Sequence, residues 1–245
     1  AFAGVKDGGK VTLLANVNGE STFEADKTVT LDMAGHQLSV SNTAAALFVR
    51  SGYLTVANSA GKYIDISGQT HSVSVNGGTL KFEKKVKLGG QLSVVGEYNR
   101  DTGKYTSLGT LEGGLKEGSI ITGGVYADGY GDSTGKGYEN VLALLPDGYA
   151  FAEYQTDGTA GSIVRANYPS LSGNLIVVAH EHGPFTYDSE NLGYYCACGY
   201  EHTEHAYGKN GHCTLCDYIC PHDWHSVGET EDGRWVCGDC KAEMA

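Results

Sequence analysis

From Val11 to about Val125 the chain repeats one small pattern, a glycine followed two residues later by the first of two alternating apolar side chains. Gly52-Tyr-Leu54-Thr-Val56, Gly78-Thr-Leu80-Lys-Phe82 and Gly90-Gln-Leu92-Ser-Val94 all show it. Leu47-Phe-Val49, Val73-Ser-Val75 and Val86-Lys-Leu88 stand just before them, again with a period of two. A period of two places one face of a strand inward. Leu54 to Leu80 is 26 residues and Leu80 to Leu92 is 12, which reads as one or two strand units per repeat. Similar units can stack into a coil in which each short strand pairs with the turns above and below it. A β-sandwich of regular hairpins is the alternative. With 36 glycines, 4 prolines and 40% hydrophobic residues, the composition suits turn-rich β structure rather than disorder.

One stretch carries a resemblance. Val29-Thr-Leu-Asp-Met-Ala-Gly-His-Gln-Leu38, together with the later Val-x-Gly-Gly-Thr-Leu unit at Val75–Leu80, resembles the right-handed β-helix repeats of bacterial cell-surface proteins, which share the pectin-lyase-like fold. The resemblance covers about residues 10–125. It implies a right-handed parallel β-helix (an all-β solenoid), an extracellular or cell-surface location, and a place in a longer multi-module chain. It carries no activity with it.

Residues 126–178 interrupt the repeat and read as the cap of the coil, because an open end would leave strand edges unpaired. The glycine-rich run from Tyr126 through Tyr130 to Tyr138 reads as a loop bearing three tyrosines, and these are the candidate ligand-binding residues. A tyrosine suits sugars, since its ring face meets C–H groups while its hydroxyl hydrogen-bonds. Leu175-Ile-Val-Val178 is the last strand expected of this first domain, 1–178.

The remaining domain, 179–245, is organised differently. His180 and His182 precede Cys196 and Cys198. His202 and His205 precede Cys213 and Cys216, and His222 and His225 precede Cys237 and Cys240. Each unit supplies two imidazoles and two thiols, the donor set of a closed tetrahedral Zn²⁺ site, so two or three structural zinc ions are expected. The first unit is the weakest by spacing, with one residue between its cysteines instead of two. Cys220 could replace His222 or His225 in the third. Disulfides are the competing arrangement, but seven cysteines leave one over, and disulfides give no reason for paired histidines. Large aliphatic residues are scarce here, so a loop-rich tail needs staples. Trp224 and Trp235 are expected to pack over the sites.

Charge narrows the partners. The 245 residues carry a net charge of −12; residues 179–245 hold 3 Lys/Arg against 12 Asp/Glu, a net of −9. Two thiolates, two neutral imidazoles and one Zn²⁺ sum to zero, so metal leaves the tail acidic and nucleic acid is not an expected partner. No apolar run approaches the ~20 residues that span a bilayer. The chain opens at Ala1 with neither Met nor a leader, as expected of a mature or excised fragment. The function expected is a non-enzymatic surface module for binding or adhesion, its ligand a glycan or host surface molecule. Polysaccharide lyase or hydrolase activity is one alternative, and a rigid architectural spacer is another. No catalytic residues are assigned: Asp32, Asp65, Asp101, Asp128 and Asp132 are scattered, and His36 and His71 fall in turn-like contexts. Oligomeric state is left open.

Overall fold

The computed structural model describes residues 4–19, 23–41, 45–99, 101–102, 104–128, 140–207, 212–220, 228–229 and 235–237. They are almost entirely β, with 22 strands and one short 3-10 helix, Val141–Leu144. The chain forms two compact units, 1–180 and 181–245.

In the first unit, Gly9–Thr12, Val29–Asp32, Tyr53–Ala57, Thr79–Phe82 and Thr110–Glu112 lie side by side in one sheet, each parallel to the next. The register is kept from strand to strand. Val29, Leu54, Leu80 and Leu111 form one column, and Val11, Leu31, Val56 and Phe82 another. Between them runs an outward column of Lys10, Thr30, Thr55, Lys81 and Glu112, in which Lys81 Nζ and Glu112 Oε1 are 2.7 Å apart. Period-two alternation thus becomes an inner face that is buried from Val29 to Leu111 and partly buried at Val11, and a slip of one residue would turn every side chain over.

A second sheet stacks the intervening strands in the same way. Val17, Leu38, Ile66, Leu88 and Ile121 align, as do Leu47, Val73, Leu92 and Val125, and Val49, Val75, Val94 and Ala127. These pairs are parallel, unlike the antiparallel hairpins of a sandwich. The inner residues of both sheets belong to one buried cluster.

One sequence expectation changes here. Gly90-Gln-Leu92 is not a third copy of the Leu54 and Leu80 units: Leu92 stacks on Val73 in the second sheet. Any strand with two inward apolar residues has the same local pattern, so alternation cannot tell the sheets apart. At Gly68, Gly90 and Gly123 glycine is needed for close approach of the backbone. A Cβ on Gly68 would lie 2.0 Å from the His71 carbonyl oxygen, and one on Gly123 2.3 Å from the Gly90 carbonyl carbon.

Polar groups in the turns are specifically satisfied. Asp32 is buried; its Oδ1 accepts from the Ala34 and Ser59 amides at 3.0 and 2.9 Å, and its Oδ2 meets Lys10 Nζ at 2.8 Å. Buried Asn58 accepts from the Gly35 and Gly61 amides and donates to the Tyr63 carbonyl. Past the last parallel strands, pairing turns antiparallel. Leu175–Ala179 joins Ile120–Ile121, Ser170–Leu171 joins Val125–Asp128, and Tyr149–Tyr154 joins Leu175–Ala179. These pairings cover the outer edges of Ile120–Ile121 and Val125–Asp128 in the second sheet, while Thr110–Glu112 ends the first.

Candidate metal centres

The second unit has little regular structure. Thr186–Asp188 and Gly193–Tyr195 form a hairpin, and isolated bridges join Tyr195 to Glu201, Tyr207 to Cys213 and His212 to Ile219. Turns in this chain bring cysteine pairs and histidines into two groups. His180, His182, Cys196 and Cys198 offer one ligand atom each within 4.8 Å of one another, and so do His202, His205, Cys213 and Cys216. Both groups could hold a metal ion. In the first, Cys198 Sγ is 3.4 Å from His182 Nδ1. In the second, His202 Nε2 is 3.3 Å from Cys213 Sγ and His205 Nδ1 is 3.4 Å from Cys216 Sγ. A tetrahedral ion with Zn–N near 2.05 Å and Zn–S near 2.3 Å has N···S edges of about 3.6 Å, so the donors stand almost at coordination spacing.

The two centres share a local construction. The Cys196 amide donates to the Tyr200 carbonyl at 3.0 Å, and the Cys213 amide donates to the Tyr218 carbonyl at 2.9 Å. Each of those tyrosines then stacks on a ligand histidine of its own group, Tyr200 on His182 and Tyr218 on His205, both with ring centroids 4.1 Å apart. Phe185 stacks on His202 at 4.6 Å. Packing of this kind fixes an imidazole plane before a metal arrives, which is the usual task of groups surrounding a ligand.

Electrostatics differ between the thiols. Burial pushes the Cys198 thiol up to about 11. At Cys213 burial acts in the same direction, but it is outweighed by hydrogen bonds from the Leu215 amide, His202, His205 and Cys216, and the thiol is lowered to about 5. Burial and the neighbouring Cys213 raise Cys216. None of the described cysteines is joined in a disulfide.

Of the sequence candidates, eight of the thirteen metal ligands fall in these groups. The first unit, weakest by spacing, gathers as well as the second. Cys220 and Cys237 are buried together, with Sγ atoms 3.6 Å apart. His222, His225 and Cys240 lie outside the described residues, as do Trp224 and the candidate binding residues Tyr130 and Tyr138. Tyr126 is not on a loop. It sits in strand Val125–Asp128, half-buried, and donates from its hydroxyl to Asp128 Oδ2 at 3.0 Å, because pairing with Ser93 on one side and Ser170 on the other holds it in the sheet. Burial, and then that carboxylate, hold its pKa above the ordinary tyrosine value. His71 likewise lies within strand Ile64–Asn76 and not in a turn.

One feature escaped the sequence reading. Tyr187, Leu192, Tyr194, Glu201, Thr203 and Tyr218 line an open cleft of about 440 Å³ that also touches His202 and His205. Its residues are scattered over 32 positions of sequence and no spacing announces them; only the hairpin and the metal knuckle bring them together. No family model, curated protein or solved structure matches this chain.

Proposed function

We propose that this is a secreted or cell-surface binding module, without catalytic activity, in which a right-handed β-helix carries a tail stapled by structural Zn²⁺. In-register parallel columns with a continuous buried face support the coil reading. Zinc suits the donor set, since thiolate and imidazole in fours favour a tetrahedral ion without redox chemistry. Four protein ligands per ion leave no open position for water, which argues for a structural metal.

The observation that carries the binding role is the cleft. Two of its wall residues, His202 and His205, belong to the second ligand group, so metal and cleft are built together. Tyr187 is 57% exposed and offers a ring face, while Glu201 and Thr203 offer hydrogen-bonding groups. Aromatic faces beside a few polar groups suit a glycan. A purely architectural spacer has no use for such a cleft. The lyase or hydrolase reading is weakened by the engagements of the carboxylates: Asp32 is held by Lys10 and two amides, Asp65 accepts from Gln37, and Asp128 accepts from Tyr126.

Elemental analysis of the purified chain tests the metal, and glycan-array binding before and after chelation tests the cleft. Zinc at two or more ions per chain, with binding that disappears on chelation and in Tyr187→Ala, is the expected result. Absence of zinc refutes the staple. Glycan binding that survives both perturbations refutes the cleft, and so does a chain that binds no glycan at all.

A further inference from the structure

We infer that Cys220 and Cys237 are ligands of a third metal ion, Cys220 holding there the place that His202 holds in the second centre. This rests on the metal-stapled reading of the tail and extends it.

The equivalence is structural. The residue before Cys196 bridges to the residue before His202, through Tyr195 and Glu201. The residue before Cys213 bridges to the residue before Cys220, through His212 and Ile219. Three residues separate Cys198 from His202, and three separate Cys216 from Cys220. The amide-to-carbonyl bonds Cys196–Tyr200 and Cys213–Tyr218 close both loops in the same manner. Each knuckle therefore hands its chain onward to deliver the first ligand of the next site.

The delivered ligand then meets the same target. His202 Nε2 lies 3.3 Å from Cys213 Sγ, the first cysteine of the following pair. Cys220 Sγ lies 3.6 Å from Cys237 Sγ, again the first cysteine of the following pair. Two thiolates on one tetrahedral zinc stand about 3.8 Å apart, whereas a disulfide needs about 2.05 Å. Both cysteines are buried, at 2% and 0% exposure. The hairpin preceding Cys196 also has a counterpart before Cys237, where Gly228–Glu229 pairs antiparallel with Trp235–Val236. The sequence supplies three candidates for the two remaining positions, His222, His225 and Cys240, all of which lie outside the described residues.

Native mass spectrometry of the full chain tests this, with cobalt substitution as the second readout. Three ions are expected in the wild type and two in Cys220→Ser. Cys220→His should restore three, because histidine serves in the equivalent place, with a weaker thiolate-to-cobalt charge-transfer band. The inference is overturned if Cys220→Ser retains the wild-type number, or if the wild-type mass is two hydrogens light from a Cys220–Cys237 disulfide. A wild type with no metal overturns the staple itself; a wild type with two ions, unchanged by Cys220→Ser, overturns this inference alone.

Discussion

Replacing Asp32 with alanine should cost the first unit about 3–5 kcal/mol. Its Oδ1 is the acceptor for the Ala34 and Ser59 amides, at 3.0 and 2.9 Å, and the residue is only 2% exposed. Alanine leaves two amides without that acceptor, and hydrogen bonds to a charged group contribute roughly 1.5–3 kcal/mol each. The Lys10 ion pair adds little, because Lys10 is 55% exposed and such pairs contribute about 1 kcal/mol or less. Asparagine keeps the Oδ1 acceptor and turns an amide toward Lys10, so Asp32→Asn should cost about 1–2 kcal/mol, again mostly hydrogen-bond strength. Lys10 first, then the Ser59 amide, hold the carboxyl well below the usual carboxylate range against the opposing effect of burial. A folded-state value below the unfolded one stabilises the fold fully above the unfolded value, near pH 4, and that stability is lost as pH falls toward the folded value. Urea denaturation followed by far-UV circular dichroism, at pH 7 and pH 3, measures both effects, since both tryptophans lie in the tail and their emission tracks it separately. The reasoning fails if Asp32→Ala costs under about 1 kcal/mol, or if Asp32→Asn loses as much stability between the two pH values as the wild type.

Other substitutions read other parts of the structure. Leu80→Ala, in the column between Leu54 and Leu111 and fully buried, should lower the urea midpoint by the equivalent of about 3–5 kcal/mol. Gly68→Ala should prevent stable folding of the corner, because its Cβ would sit 2.0 Å from the His71 oxygen, while Gly148→Ala meets open space and should cost about 1 kcal/mol for its φ of +81°. Thermal melts of the two side by side separate crowding from backbone strain. Excess chelator, or acid that protonates the thiolates and imidazoles, should shift tryptophan emission and expose 181–245 to protease, while the circular dichroism of the first unit persists. Tyr218→Ala should weaken the second centre without removing a ligand, seen as faster zinc transfer to a competing chelator.

The inner faces were legible because burial leaves a period-two record in Val29, Leu31, Leu54, Val56, Leu80 and Phe82. Which strand lies on which was not, since Leu54 and Leu92 have the same neighbours in sequence and different ones in space. Asp32 and Asn58 carry no mark in sequence, yet each is the acceptor for two backbone amides, one of them from a neighbouring turn. In the tail, cysteine and histidine spacing marked the two groups that could hold a metal, because a knuckle brings two donors close together. The tyrosines that stack on them carry no such mark: Tyr200 and Tyr218 stand two residues beyond a cysteine, like many residues with no role. Tyr126 misled for the opposite reason, its glycine-rich surroundings hiding a strand held on both sides.

The stacking of Leu54 on Val29 and of Leu80 on Leu54 makes length a discrete variable. Excising residues 54–79 would bring Leu80 to the place that Leu54 holds, and Phe82 to that of Val56, with inward and outward faces unchanged. Losing one residue inside Tyr53–Ala57 would invert the remainder of that strand. Length changes that keep these columns should accordingly come in whole strand-and-connection repeats, adding or removing one row of the sheet at an interstrand spacing of about 4.8 Å.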